Sequence, residues 1–179
     1  MKKQFTKTEM TTLKGCYSIE TLNACSFMKL KQITIESILE SEIPLIDKLW
    51  FVFASCDIEL KDKLLLCFEI SKIVLPIYNE QYPNDDRVTK CIEAIEKFNR
   101  GEISESELRN AAYAANAANA ANAATYANAA ANAAANAAYA AYAANAANAA
   151  ANAANAAANA AKEVNFEHQI LDLVIQFFK

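Results

Sequence analysis

Residues 111–161 read AAYAANAANAANAATYANAAANAAANAAYAAYAANAANAAANAANAAANAA, and the architecture of the chain turns on whether this stretch is helical. It holds 35 Ala, 11 Asn, 4 Tyr and the single Thr125, and nothing between Arg109 and Lys162 is charged, Gly or Pro. Alanine is the best helix former because it loses no side-chain rotamers on ordering. Asparagine is worse by roughly 0.5 kcal/mol per residue in a helix interior, so eleven of them weaken the tract without reversing the preference. The rival reading is a disordered low-complexity segment. Nothing in the tract suits a strand, so helix is the expectation.

The residues that interrupt the alanines fall at steps of three and four. An α-helix turns about 100° per residue, so a step of three falls short of a full turn by about 60° and a step of four overshoots by about 40°. From Thr125 to Tyr139 the steps are 3, 4, 4, 3 and the stripe stays on one face. From Asn148 to Lys162 they alternate 4 and 3, and it holds again. From Asn110 to Thr125 every step is three, and the stripe swings almost right round. It swings again between Tyr139 and Asn148. One straight helix would be roughly 80 Å long, too long for a compact domain of this size. Two or three helices are expected, with breaks where the stripe drifts and Asn as the residue that tolerates a helix end. Alanine faces let helix axes approach closely, but each buried methyl contributes only about 0.8 kcal/mol at most. The Asn stripe has three readings: a solvated face, an internal amide network, or a partner surface.

The 179 residues fit one domain: amphipathic helices over 1–101, Ala/Asn-rich helices over 102–161, and an apolar closing helix over 162–179. With 2 Gly and 3 Pro the fold class is all-α, a compact multi-helix bundle. Net charge is −4, which gives no electrostatic case for nucleic acid. Cys16, Cys25, Cys56, Cys67 and Cys91 show no metal-type pairing and read as reduced thiols packed as small hydrophobes. Lys2 and Lys3 are followed by a polar stretch rather than an apolar core, so no secretory signal is read and a cytoplasmic location is expected. Eleven amides and four phenols exclude the tract as a membrane span.

Along the rest of the chain, residues 8–14 predict a short helix stopped by Gly15, and Ser18 caps another turn reaching Phe27 and Leu30. Thr34 is an N-cap, with Ile35, Ile38 and Leu39 at helical spacing, and Pro44 suits the first turn of the next helix. Leu45, Ile46, Leu49, Trp50, Val52 and Phe53 make that helix apolar on most sides, hence core. Asp57 is expected to cap a longer helix with Leu60, Leu64, Leu65, Cys67, Phe68, Ile70 and Ile73 inward, kinked or ended at Pro76. Asn84, Asp85 and Asp86 favour a helix start, followed by the apolar face Val88, Cys91, Ile92, Ile95, Phe98 and a glycine cap at Gly101. Ser104 to Glu107 is a capping box opening the helix that enters the tract. Phe166, Ile170, Leu171, Leu173, Val174, Phe177 and Phe178 form the last helix, which should close the core because exposure would invite aggregation.

In order, Asp47-Lys48-Leu49-Trp50, Val74-Leu75-Pro76-Ile77-Tyr78, Tyr82-Pro83-Asn84-Asp85-Asp86-Arg87, Ala94-Ile95, and Gly101 to Leu108 leading into an interrupted Ala tract make a pattern. Over roughly residues 45–161 it resembles the immunity-five-like family of immunity proteins of bacteria and phages. The family's tracts carry Trp and charged residues among the alanines, where this chain has Asn and a few Tyr. The resemblance implies toxin neutralisation by protein binding, with no catalytic motif to carry over.

Chemistry is sparse. His168, the one histidine, has Glu167 and Asp172 near it in sequence but no nucleophile, and reads as a surface residue. Glu36, Glu40, Glu42 and Asp47 lack the spacing of a metal loop and read as a solvated face. Gly15 and Gly101 alone cannot build a phosphate loop. Neither enzyme activity nor a cofactor nor a metal is expected. The leading function is a binding protein that occludes a toxin. Its candidate contacts are Tyr113, Tyr126, Tyr139 and Tyr142 with Asn128, Asn132 and Asn136, because Tyr supplies large contact area at low entropy cost. Packing of these Tyr among the alanines is the competing role. The alternatives are a phage counter-defence factor that blocks a host protein or sequesters a signalling nucleotide in an Asn/Tyr pocket, and a module that oligomerises through Ala-rich faces. An ice-binding helix is a remote fourth, since one Thr cannot make a regular Thr array.

Overall fold

The computed structural model describes residues 4–13, 18–55, 58–121, 125–142, 146–161 and 166–178. The chain starts with strand β1 (Gln4–Phe5), α1 (Lys7–Leu13) and α2 (Ile19–Ala24), then a 3-10 turn over Ser26–Lys29 and strand β2 (Ile33–Thr34). Helices follow: α3 (Ile35–Leu39), α4 (Leu45–Ser55), α5 (Leu60–Gln81), α6 (Arg87–Asn99), α7 (Glu105–Ala121), α8 (Thr125–Tyr142), α9 (Ala146–Ala161) and α10 (Glu167–Phe178). The bundle is all-α apart from one antiparallel pair, Gln4 against Thr34 and Phe5 against Ile33. That pair was not expected: Ile33-Thr34-Ile35 is β-branched, but the run is short and merges into the helix start that Thr34 caps.

Local signals set most helix ends. The Ser18 hydroxyl accepts from Thr21 N at 3.1 Å, and Thr34 and Ser37 form a reciprocal capping box at α3. Pro44 sits just before α4, and its carbonyl accepts from Asp47 N and Lys48 N. At the end of α6, Gly101 takes φ +73°. Glu102 N then reaches Lys97 O and Gly101 N reaches Phe98 O, each at 2.9 Å, the paired bonds of a Schellman ending. Ser104 and Glu107 cap α7 reciprocally: Ser104 N donates to Glu107 Oε2 at 2.8 Å and Glu107 N to Ser104 Oγ at 3.3 Å.

One expectation for α5 is narrowed and one needs correction. Of the two outcomes expected at Pro76, a kink or an end, the helix does not end there: it runs on to Gln81. Proline removes one backbone hydrogen bond; the ring itself is exposed, and the buried Ile77 and Tyr78 anchor the turn beyond it. Leu60 and Leu65 do not face inward: they are 49% and 48% exposed. The buried stripe runs Cys67, Ile70, Ser71, Val74, Ile77, Tyr78, and Leu65 lies on the far side of it at 100° per residue. The position before α5 is Glu59; Asp57 and Gly15 lie outside the described residues, as do Asn122 and Asn145 near the ends of the tract's helices.

The Ala tract is carried by three helices, and its middle one is the centre of the molecule. Helix α8 packs against α5, α6, α7 and α9, with α9 also on α4 and α5. The ends at Ala121 and Thr125, and at Tyr142 and Ala146, fall where the stripe drifts in sequence. Helix α10 buries Ile170, Val174 and Phe178 and lies on α5 and α3, closing the core as its apolar pattern predicts. Trp50 is half-buried at the edge of that core, edge-on to Phe51 at 5.1 Å. Among the described residues no helix is long and apolar enough to cross a membrane.

Candidate functional site

Burial divides the tract by residue type. Every buried position described in it is alanine, for example Ala112, Ala115 and Ala118 on α7, and Ala130, Ala134 and Ala138 on α8. Every Asn and Tyr whose side chain is described is half-buried or exposed. On α8 the half-buried positions are Ala129, Asn132, Asn136 and Tyr139, one stripe at steps of 3, 4, 3. On α7 the exposed positions Asn110, Tyr113 and Ala117 form another. At the described positions, the 3- and 4-residue steps legible in the sequence are therefore the outward face of a close-packed alanine layer.

The two stripes meet. The rings of Tyr113 and Tyr139 are edge-to-face with centroids 6.1 Å apart, and the Asn116 amide donates to the Tyr139 hydroxyl at 2.6 Å. Burial pushes the Tyr139 phenol above its ordinary value, with the Asn116 bond acting in the opposite direction, so it stays protonated at neutral pH. Tyr113 stands out at 57% exposed. Asn132 and Asn136 make no side-chain hydrogen bond to the described residues, which leaves their donors and acceptors for solvent or a partner. The side chains of Tyr126, Asn128 and Tyr142, also on α8, lie outside the described set. Of the seven expected contact residues, the structure thus brings Tyr113 and Tyr139 together and places Asn132 and Asn136 on the same stripe as Tyr139.

The backing of this face is held by side chains from two other helices. Ser71 on α5 is 1% exposed and donates to Ala133 O at 3.2 Å and Cys67 O at 2.9 Å. Cys91 on α6 donates to Ala134 O at 3.5 Å. Two small side chains thus reach consecutive carbonyls of α8 across close helix crossings. Burial pushes the Cys91 thiol up to about 12. Cys91 was expected in the core; Ser71 and Asn116 were not singled out. The signal for Ser71 was a lone polar residue within an apolar stripe at helical spacing.

Where α5 meets α6, the buried Tyr78 hydroxyl donates to Asp85 Oδ2 at 2.7 Å. Arg87 Nε and Nη2 grip the same carboxylate at 2.8 and 2.5 Å, and Arg87 N reaches it at 3.2 Å. This fork holds the Asp85 carboxyl well below the usual carboxylate range. Asp85 therefore does more than open a helix: it joins the end of α5 to the start of α6, while Asp86 takes the N-cap position. Among the acids expected on a solvated face, Glu42 is exposed but accepts from Ser26 N at 2.9 Å and from Ser26 Oγ, which lowers its carboxyl to about 2. His168 is exposed on α10. Among the described residues no group of His, Cys, Asp and Glu is placed to hold a metal ion.

No curated protein and no solved structure matches the chain. A family model described as Imm-5 like putative immunity protein matches residues 60–174. That range takes in Tyr78, Asp85, Arg87, the capping box and all three helices of the tract, and leaves Asp47 to Trp50 outside. Since the match spans more than half of the 179 residues, the chain belongs to the Imm-5 like family of immunity proteins.

Proposed function

We propose that the protein is a non-enzymatic immunity-type binder that neutralises a partner protein by covering part of its surface with the outward face of α7 and α8. Family membership supports the coarse reading, an immunity-type protein. The observation that carries the finer one is Tyr113: a large aromatic more than half exposed, braced by Tyr139, on a face bearing amides and no formal charge. Exposed aromatics on rigid backing are the groups that dominate interface energy. Asn132 and Asn136 extend the same surface on α8. The mechanism is steric occlusion, with the alanine layer keeping the face rigid so that little entropy is lost on binding.

An affinity pull-down with the tagged full chain, read by mass spectrometry from lysates of source cells and of their competitors or phage-infected counterparts, tests this. The expected result is one stoichiometric protein retained by the wild type and lost by Tyr113→Arg, with helicity unchanged. The partner's identity then separates a toxin from a host defence factor. Retention by the variant, or no protein partner at all, would contradict the reading.

A further inference from the structure

We propose that the α7/α8 face also closes against the same face of a second copy of the chain, forming a two-fold dimer that covers Tyr113. All 17 Lys and Arg and all 21 Asp and Glu lie outside residues 110–161. In a two-fold contact each group near the axis meets its own twin, and like charges brought together there are strongly unfavourable. On a chain of net charge −4, the outward face of the tract is where self-contact sets no like charges against each other. Its border on α7 is the Arg109–Glu105 ion pair, which is neutral as a unit.

The chemistry of the face is self-complementary. A carboxamide carries two donors and an acceptor, and a phenol carries one of each. Asn132 and Asn136, which find no partner among the described side chains, can pair with the same residues across the axis. Lysine or glutamate could not do so. Tyr113 supplies the apolar centre, with exposed Ala117 one turn further along α7 leaving room for a ring from the second copy. The consequence rests on the reading above: partner and second copy compete for one face, so the chain without a partner keeps that face covered.

Sedimentation velocity of the full chain over a wide dilution series, at low and high salt, tests the dimer directly. The expected result is a monomer–dimer equilibrium that salt barely moves, because no exposed charges are paired or opposed in it. Tyr113→Arg and Ala117→Arg, both at exposed positions and checked for unchanged helicity, should each weaken it by about tenfold or more. A monomer at every concentration, a dimer that dissociates as salt rises, or a dimer indifferent to both substitutions would overturn the proposal. The two readings fail separately. A strictly monomeric wild type whose partner is lost by Tyr113→Arg leaves the binding role standing without the dimer. A dimer sensitive to Tyr113→Arg whose partner binding is not leaves the dimer without that role.

Discussion

A buried phenol, a guanidinium fork and a backbone amide converge on the two oxygens of Asp85. Removing it strands the buried Tyr78 hydroxyl and releases the partly exposed Arg87 guanidinium, so Asp85→Ala should lower unfolding free energy by about 1–2 kcal/mol, measured by urea denaturation. The pH dependence follows from the direction of its shift. Its folded-state pKa is depressed, so its contribution is fully present above the unfolded carboxylate value of about 4 and is lost as pH falls below that, toward the folded value. The wild type should therefore lose stability in acid more steeply than Asp85→Ala, and parallel acid titrations of the two would refute this assignment. Asp85 was legible as a helix-start residue because Asn-Asp-Asp precedes an amphipathic run. Its bond to Tyr78 was not, because Tyr78 lies on another helix and sequence spacing does not say which way a ring points.

Helices were the most readable elements here. Capping boxes at Thr34 and Ser104 and the glycine ending at Gly101 are local chemistry, and local chemistry is written in adjacent residues. Leu65 misled because a leucine-rich stretch does not say which leucines are core; at Pro76, where the sequence allowed either a kink or an end, buried Ile77 and Tyr78 hold the turn after the proline. Ser71 shows the same limit in the other direction. Its small side chain and its bond to Ala133 O set how closely α5 approaches α8. Ser71→Leu should overpack this crossing and cost about 1–3 kcal/mol or more, visible as a lower urea midpoint, because interiors at native density cannot absorb three extra carbons. An unchanged midpoint would mean that the crossing is looser than its geometry.

Across the whole molecule the tract divides labour by residue type, alanine for packing and asparagine or tyrosine for the outer face. This division was readable in outline from the steps of three and four, since a surface stripe and a helical period are the same statement. What the sequence left open was which of three roles the asparagines play. Among the described residues the structure leaves the asparagines half-buried or exposed, ties Asn116 to Tyr139, and leaves Asn155 Oδ1 buried without a partner. None of that makes Asn132, Asn136 or Asn155 a stabilising residue. Each costs helix propensity of roughly 0.5 kcal/mol against alanine, and a buried unpaired oxygen is worse. The most direct measurement is therefore the thermal midpoint of the full chain carrying Asn132→Ala and Asn136→Ala together. Asparagines kept for contact rather than for folding predict a midpoint raised by about 2–4 °C, from roughly 1 kcal/mol of regained helix propensity in a chain of this size. A midpoint lowered by the same amount would show that these amides hold the bundle together, and would contradict their assignment to a binding face.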